Sequence, residues 1–394
     1  MTNMNDKPMI TSLCDLDFYK LTMMNFAYYY ENNTQVKYRF TCRTPVDFSN
    51  SFDDIVNQVK MLGDLRFTED ELLYLSTFEF FKPSFIRFLR GFRLNPDDVV
   101  MSEKDGNLSI TIDAPWVNGI LFETLIMSII CEVYFKTTYA DKYDMLVADG
   151  KVKLDKKIEY LTSLSRVMPF AEFGTRRRFS QEHQEYVVTT LKECGYKGFV
   201  GTSNVDLARR LDLKAIGTMA HELVMVMAGV TRPDKSSKLA MERWLEFYEG
   251  NLGTALTDTY TTDHFLKDFN GTLSRGFTGV RQDSGDPIEW GNKMLAHYVK
   301  LGINPQEKML LFSDGLNLPK AFDIFMKFQD KCKVSFGIGT DLTCDMGVPA
   351  LNIVIKAVEC EGFPLIKISD SPGKTMCENK KYKDFALELF GATQ

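Results

Sequence analysis

Short apolar and β-branched runs alternate with helical patterns over the second half of the chain. The runs, each ending in small or polar residues, cover 198–203, 214–221, 254–259, 276–283, 308–314 and 333–340. The helical patterns between them cover 205–211, 238–248, 264–269, 288–301 and 318–329. Strands that alternate with helices at this spacing are typical of parallel βαβ units. Because polar residues always end the strand, the pattern favours an α/β barrel with its site at the strand ends; the alternative is a doubly wound open sheet.

Both ends of the chain show a mixed pattern instead. Alternation predicts strands at 38–43 and 108–113, and apolar periodicity predicts helices at 16–30 and 69–89. The strand-like segments at 351–356 and 364–369 are expected to rejoin this part. The sequence therefore predicts an α/β protein with two domains. An N-terminal α+β domain comprises residues 1–130 and is joined by the C-terminal segment 345–394, and an α/β barrel comprises residues 131–344.

The most apolar stretch, 116–135, contains Asn118, Glu123 and Glu132. A membrane-spanning helix has about 20 mostly apolar residues with few charges, so a buried helix of a large domain is the better interpretation. The start of the chain lacks a basic segment followed by an apolar one, and no signal peptide is expected.

Composition narrows the classes of partner. The net charge is −6, so general binding to nucleic acid or to an anionic membrane is not expected. Anionic substrates would require a local group of basic residues. The eight cysteines include no C-x-x-C pair and the four histidines are far apart, which disfavours a zinc site or a disulfide framework and fits a reduced cytoplasm.

The densest basic cluster lies at 172–178, EFGTRRR. A Gly-Thr turn that leads into arginines offers backbone N–H donors and forked guanidinium groups to a phosphate. The alternative is a solvated helix face that carries three like charges.

Three strand ends carry small and polar residues in a similar form. Because each precedes a helical pattern, residues such as Ser203 or Asn204 could simply be N-caps. A helix N-terminus also binds anions, and small residues let a phosphate approach the backbone. Several such ends together predict a site for a phosphorylated sugar. The candidate substrate-binding residues at these ends are Thr202, Ser203, Asp314, Gly315, Gly339 and Thr340.

His221 ends the run 214–221. A lone histidine is more often structural, but its place among other polar strand ends favours a role in catalysis. Residues 281–286, RQDSGD, gather an arginine and two aspartates around Gly285. The aspartates are either turn formers before Pro287 or ligands for Mg²⁺ and ribose hydroxyls.

Several of these motifs belong to a larger set that follows one order along the chain. The set consists of 17–23 (DFYKLTM), 41–43 (TCR), 172–177 (EFGTRR), 201–203 (GTS), 218–222 (TMAHE), 258–260 (DTY), 281–286 (RQDSGD), 313–316 (SDGL) and 336–340 (FGIGT). Together they resemble the nicotinate phosphoribosyltransferase family, over nearly the whole chain.

The resemblance implies an irregular α/β barrel plus an α+β domain formed by both chain ends. It also implies a homodimer with shared active sites, in which Asp17, Tyr19 and Arg43 reach into the partner's barrel. Phe173 and Tyr19 would sandwich the pyridine ring of the substrate.

The resemblance assigns the phosphate and ribose contacts to Arg176, Arg281 and the backbone near Gly315 and Gly339. His221 matches the phosphorylated histidine of the family. It would take a phosphoryl group from ATP, a co-substrate whose hydrolysis drives product formation.

The implied reaction joins nicotinate to 5-phosphoribosyl 1-pyrophosphate, giving nicotinate mononucleotide and pyrophosphate. The ring nitrogen attacks the anomeric carbon and needs no general base. Mg²⁺ would be bound with the substrate rather than in a protein-only site. Asp283, the third expected catalytic residue beside His221 and Arg281, would lie near the developing positive charge and possible metal.

Three alternatives remain open. The nicotinamide-specific enzyme resembles this chain over the same motifs but has an Asp where Ser203 stands; a serine can donate to a carboxylate, which favours nicotinate. A sugar-phosphate aldolase or isomerase needs a lysine or a carboxylate base at a strand end, and the six strand tips carry no lysine. A non-catalytic binding protein gives no reason for His221 to accompany Arg281 and Asp283.

Overall fold

The computed structural model describes residues 7–371 and 373–392, which form both helices and strands. The helices are α1 (Phe18–Tyr30), α2 (Phe52–Met61), α3 (Glu69–Ser76), α4 (Pro83–Gly91), α5 (Trp116–Gly119), α6 (Phe122–Thr138), α7 (Tyr143–Ser163), α8 (Gln181–Glu193), α9 (Val205–Arg210), α10 (His221–Val230), α11 (Pro233–Tyr248), α12 (Thr262–Asp268), α13 (Gly271–Gly276), α14 (Pro287–Lys300), α15 (Leu318–Phe328), α16 (Thr340–Thr343) and α17 (Lys380–Phe390). The strands are β1 (Gln35–Cys42), β2 (Val99–Lys104), β3 (Asn107–Pro115), β4 (Phe170–Glu172), β5 (Phe199–Thr202), β6 (Thr254–Leu256), β7 (Gly279–Gln282), β8 (Met309–Phe312), β9 (Lys333–Ile338), β10 (Ile353–Cys360) and β11 (Phe363–Pro364).

The strands form two sheets of different kinds. One has the order β11-β10-β1-β3-β2, with antiparallel pairs at β10–β11 and β2–β3. The other has the order β5-β4-β9-β8-β7-β6, with parallel pairs at β4–β5, β6–β7, β7–β8 and β8–β9. Parallel strands bring their carboxyl ends to one edge of a sheet, which is where α/β enzymes place their ligands.

Packing divides the chain into two compact units. The first unit comprises Met1–Asn33, Tyr38–Ile216 and Ile338–Lys356, and the second comprises Thr34–Lys37, Gly217–Gly337 and Ala357–Gln394. These limits differ from those of the domains proposed from the sequence, 1–130 with 345–394 and 131–344, which stay a prediction.

Two predicted elements are shorter or broken. The single helix expected at 69–89 is two helices, α3 and α4, because Pro83 cannot continue a helix and instead begins a new one. The strand expected at 364–369 is reduced to β11 and an isolated bridge between Lys367 and Met376.

The strand expected at 214–221 is also wrong. Ala215 alone makes a bridge, to Thr202, and Gly217 interrupts the run. His221 is the first residue of α10, so it opens a helix and does not end a strand.

The apolar stretch after residue 115 forms α5 and α6, as the interpretation of a packed helix requires. Trp116–Thr138 is long and apolar enough to cross a membrane, but 94% of its apolar window is buried within the structure. Glu123 and Glu132 are buried in it, and both bind lysines: Lys20 and Lys136.

Candidate active site

The first cluster of candidate residues lies in the first unit and begins with the pairing of β4 and β5. Glu172 is opposite Thr202 in the parallel register, and the Thr202 hydroxyl donates to its carboxylate at 2.5 Å. Gly174 N–H and the Gln184 amide also donate to Glu172. The carboxyl group is fully buried, and burial raises the pKa of Glu172 to about 7 despite these hydrogen bonds. Two strand ends are therefore joined by a buried acid.

Ser203 follows this strand end, and its hydroxyl faces the N-terminal segment. Asn204 is the N-cap of α9 and accepts from Leu207 N–H at 3.0 Å, so Ser203 does not serve as the cap. Instead the Ser203 hydroxyl donates to Asp17 Oδ1 at 2.6 Å. The backbone completes the junction, since Phe18 N–H donates to Ser203 O at 2.7 Å.

Asp17 contacts Ser203 within one chain, where its carboxylate accepts from the serine hydroxyl. The backbone bridge between Asp17 and Asn204 fixes the start of α1 beside β5. The expectation that Asp17 reaches into a partner's barrel stays a prediction.

Arg176 joins two buried acids in the same cluster. Its Nε lies 3.2 Å from Asp17 Oδ2, and its NH1 lies 3.3 Å from Glu123. Lys20, fully buried, pairs with the same Glu123 at 2.5 Å. Burial alone would raise the pKa of Glu123, but the two cations lower it to about 2. The Arg176 guanidinium also lies over the Tyr19 ring, 5.7 Å from its centroid, so Tyr19 too meets the cluster of its own chain.

A second buried ion pair anchors this junction. Arg178 donates to both oxygens of Asp15 at 2.6 and 2.7 Å, and to Gln184 at 3.0 Å. Asp15 also accepts from the Asn204 amide at 2.7 Å. Of the three adjacent arginines, Arg178 is therefore structural. Arg177 is half-buried and donates to Ile353 O, so Arg176 is the arginine that contacts Asp17 and Glu123.

Phe173 and Gly339 meet through the backbone. Phe173 N–H donates to Ile338 O at 2.8 Å, and a Cβ on Gly339 would lie 3.1 Å from Phe173 O. Glycine is the residue that allows this approach. Thr340 follows as the first residue of α16. Arg43 is exposed, and its backbone N–H donates to Asn352 O at 2.8 Å.

The second cluster lies in the second unit, and strand register assembles it. Leu256 pairs with Arg281, and Gln282 pairs with Phe312, so the residues that follow these strands are neighbours. Ser313 accordingly donates to Asp283 at 3.1 Å. His221 reaches the same place from the N-terminus of α10, with Nε2 3.1 Å from Asp283.

His221 is held at both ring nitrogens. Its Nδ1 lies 3.1 Å from the Thr259 hydroxyl, opposite the Asp283 contact. Burial and the nearby Lys367 lower the pKa of His221 to about 4, so the imidazole is neutral at pH 7. Burial alone would raise the pKa of Asp283, but its hydrogen bond to His221 and the charge of Arg281 hold it well below its ordinary value.

Asp258 completes a group that could hold a cation. His221, Asp258 and Asp283 offer ligand atoms within 4.8 Å of one another. Asp258 Oδ2 pairs with Lys367 at 3.3 Å, and Oδ1 is buried with no hydrogen-bond partner in the part of the chain that the structure describes. An unsatisfied buried carboxylate oxygen fits a divalent cation. The fit is for a site completed by substrate oxygens, because three ligands are fewer than Mg²⁺ takes.

The other predicted residues of this unit differ in their contacts. Arg281 donates to Met219 O at 3.3 Å, while its buried Nε has no acceptor within the described residues and is free for an anion. Asp286 is the N-cap of α14, and its side chain accepts from Ile288 N–H and Glu289 N–H. Asp314 pairs with Lys374 at 2.9 Å, and Gly315 adopts a positive φ of 56° in the same turn.

Sequence reasoning missed the residues that support these clusters. Asp258 stood in the motif 258–260 and was available as a strand-end acid. Glu172 likewise opened the motif 172–177. Lys20 lies in the motif 17–23, and Glu123 was noted in the apolar stretch 116–135. Their contact, like that of Lys367 with Asp258, carried no local signal because it joins segments that are distant in the chain.

A parallel sheet whose strand ends bring acids and an arginine beside a neutral histidine at a helix N-terminus is typical of the ligand site of an α/β enzyme. Comparison with known proteins specifies the family. The nicotinate phosphoribosyltransferase (NAPRTase) family model matches residues 168–394, and the N-terminal domain of that family matches residues 14–131. The chain belongs to the nicotinate phosphoribosyltransferase family.

Individual relatives agree over almost the full length. The chain is 44% identical to a nicotinate phosphoribosyltransferase of Ectopseudomonas mendocina over 392 residues, 98% of either chain. A crystal structure of nicotinate phosphoribosyltransferase from Vibrio cholerae superposes with a TM-score of 0.93 at 38% identity, covering 99% of this chain and 95% of that one. One from Porphyromonas gingivalis gives 0.90 at 32% identity, covering 97% and 100%. The predicted family and the predicted α/β fold class are confirmed.

Proposed function

We propose that this chain transfers a phosphoribosyl group from 5-phosphoribosyl 1-pyrophosphate to nicotinate, releasing pyrophosphate and using ATP through a phosphohistidine. Membership of the nicotinate phosphoribosyltransferase family supports the transfer activity. The observation that supports the histidine step is the neutral, buried imidazole of His221, held between Asp283 and Thr259.

The hydrogen bonds of His221 indicate which nitrogen reacts. An ionised Asp283 can only accept, so Nε2 carries the hydrogen and Nδ1 keeps the lone pair. In the proposed step Nδ1 attacks the terminal phosphorus of ATP and ADP leaves. Asp283 then stabilises the charge that develops on the ring. Phosphoryl transfer depends mainly on such positioning and charge neutralisation.

The proposed ribosyl transfer forms one bond and breaks another. The pyridine nitrogen attacks the anomeric carbon and the bond to pyrophosphate breaks. Arg281 supplies a free buried Nε for a phosphate oxygen, and the glycines at 315 and 339 let the backbone approach the sugar phosphate. Phe173 and Tyr19 remain the proposed stacking residues for the ring.

Mg²⁺ is the proposed cofactor, and Asp258 and Asp283 are the residues that would hold it. The ion would neutralise pyrophosphate charge while substrate oxygens complete its ligands. Lys367 also neutralises Asp258, so the protein contributes little excess negative charge, in keeping with a site that needs substrate to bind the ion.

We also propose a cytoplasmic homodimer with shared sites. Its support is the family resemblance together with Arg43, an arginine that is exposed on the single chain. All eight cysteines are free thiols, which suits a reducing compartment. The net charge of −6 gives no support to nucleic acid or membrane partners.

Nicotinamide is the second candidate substrate, and one observation favours keeping it. The Ser203 proton is already donated to Asp17, so the hydroxyl offers lone pairs, which suit an amide N–H better than a carboxylate.

A product assay tests both proposals. The chain is incubated with 5-phosphoribosyl 1-pyrophosphate, Mg²⁺ and either nicotinate or nicotinamide, with and without ATP, and the mononucleotides are separated. Nicotinate mononucleotide in excess, stimulated by ATP, is the expected result. Preferential formation of nicotinamide mononucleotide, or no product from either ring, would overturn the proposed function.

A further inference from the structure

The hydrogen bond between Ser203 and Asp17 conflicts with direct recognition of nicotinate. A carboxylate has no hydrogen to give, so an ionised Asp17 must accept the Ser203 hydroxyl proton over their 2.6 Å contact. A carboxylate ligand needs that same proton. As long as Asp17 is ionised, Ser203 presents only lone pairs to the ligand. The nicotinate carboxylate would then lie close to a second anion, the Asp17 carboxylate.

We propose that Asp17 takes up a proton when nicotinate binds, and that this proton reverses the direction of the Asp17–Ser203 hydrogen bond so that Ser203 donates to the nicotinate carboxylate. Protonated Asp17 would donate from Oδ1 to Ser203 Oγ, which releases the serine hydrogen for the ligand. Asp17 is thus a specificity-determining residue that acts through Ser203. The inference rests on the proposed function, because it assumes that nicotinate binds beside Ser203.

Arg176 determines which oxygen carries the proton. Its Nε lies 3.2 Å from Oδ2, so that oxygen remains the acceptor and the proton goes to Oδ1, the atom that faces Ser203. The carboxyl group is 2% exposed, so bulk water does not compete for either oxygen. The geometry therefore places the proton of a neutral Asp17 on the oxygen that faces Ser203.

Arg176, the cation that lies against Asp17, is already shared with a second acid, Glu123. Arg176 and Lys20 are balanced by Asp17 and Glu123. Glu172, a third acid, lies behind the same strand end and repels Asp17, and the Tyr19 hydroxyl stays neutral. Nicotinate would add one negative charge beside these acids, and proton uptake by Asp17 compensates for it.

The electrostatics of the group agree with this geometry. Burial raises the pKa of Asp17, and Arg176 and Ser203 oppose that shift only in part. Glu172 is the competing proton acceptor, because its pKa is also raised by burial. The two acids accept from different hydroxyls: Asp17 accepts from Ser203, and Glu172 accepts from Thr202.

Calorimetry of nicotinate binding to the full chain tests the inference. Nicotinate is titrated at about pH 8 in buffers that differ in ionisation enthalpy, and uptake of about one proton per nicotinate is expected. Asp17→Asn should bind nicotinate without uptake, because its amide oxygen faces Arg176 and its N–H₂ donates to Ser203 as the acid would. Glu172→Gln is the matched control and should keep the uptake.

Steady-state kinetics give a second readout. For the wild-type chain, kcat/KM for nicotinate should fall about tenfold per pH unit above the pKa of Asp17, while the ratio of nicotinamide to nicotinate use rises. In Asp17→Asn this pH dependence should be absent, so the variant should exceed the wild-type chain at alkaline pH.

The outcomes separate the inference from the proposed function. Product formation from nicotinate without proton uptake by the wild-type chain would overturn the inference alone. Uptake that survives in Asp17→Asn and disappears in Glu172→Gln would do the same, by assigning the proton to Glu172. Binding with uptake but without product would overturn the proposed function alone, and absence of nicotinate binding would overturn both. The wild-type calorimetry decides the question even if a variant fails to fold.

Discussion

Removing Arg178 should reveal how strongly the buried ion pair holds the first cluster together. The change is Arg178→Met, which keeps a long apolar side chain but deletes the cation. In the native chain Arg178 and Asp15 are 0% and 2% exposed and share two hydrogen bonds of 2.6 and 2.7 Å. In the variant the Asp15 carboxylate stays buried, and the Asn204 amide is its one remaining hydrogen-bond donor among the described residues.

The expected loss of unfolding free energy follows from this geometry. Breaking a buried pair by removing one partner costs about 3–5 kcal/mol, because the other charge stays buried and uncompensated. The Gln184 carbonyl also loses a donor at 3.0 Å, which adds about 1 kcal/mol. The double variant Asp15→Leu/Arg178→Met removes both charges and should recover most of the loss. Asp15 lies two residues before Asp17, so the single variant should also lower kcat/KM for nicotinate.

Urea unfolding at several pH values is the assay. Burial raises the pKa of Asp15, but the charge and hydrogen bonds of Arg178 outweigh it and hold the pKa below its ordinary value. The pair therefore stabilises the native chain above the unfolded-state pKa of about 3.9, and the contribution is lost as pH falls through the folded pKa. Without Arg178 the pKa rises, so the deficit should be largest at neutral pH and shrink in acid. A deficit below about 1 kcal/mol, or one that grows in acid, would refute the reasoning.

Three further predictions concern the site. Ser203→Asp should lower kcat/KM for nicotinate at least tenfold, about 1.4 kcal/mol, because it places another anion beside the substrate carboxylate and Asp17. Unchanged nicotinate kinetics would show that residue 203 does not contact the ring substituent. Asp258→Asn should raise the Mg²⁺ concentration for half-maximal activity, with Asp286→Asn as the control; equal Mg²⁺ dependence in both would exclude Asp258 as a ligand. Mixing inactive Arg43→Ala and Phe173→Ala subunits should restore activity in hybrid dimers, and hybrids that remain inactive would argue against sharing.

The strand-end chemistry could be predicted because its signals are local. The polar ends of β5, β7 and β8 lie where the alternation of strands and helices indicated. In a parallel sheet those ends must meet at one edge, so Asp283 and Ser313 could be expected together. His221 lies beside Asp283, but the expected strand is wrong, since α10 presents the histidine.

The direction of individual hydrogen bonds could not be predicted. Ser203 and Asp17 are separated by 186 residues, and nothing near either one indicates that they touch. Burial of the Lys20–Glu123 pair depends likewise on how α1 packs, which no local pattern encodes. Such contacts decide whether Ser203 donates or accepts a hydrogen bond. The residue type at position 203 therefore does not by itself predict the choice between nicotinate and nicotinamide.

Locating the phosphoryl group is the most direct test of the central claim, that nicotinate phosphoribosyl transfer is coupled to ATP through His221. The wild-type chain and His221→Asn are treated with γ-labelled ATP and Mg²⁺, and the acid-labile, base-stable label is mapped to a peptide. Label on the peptide that carries His221, together with an Asn variant that is unlabelled and transfers slowly without ATP stimulation, is the predicted result. Label on another residue, or an Asn variant that still couples ATP hydrolysis to nicotinate mononucleotide formation, would contradict the account.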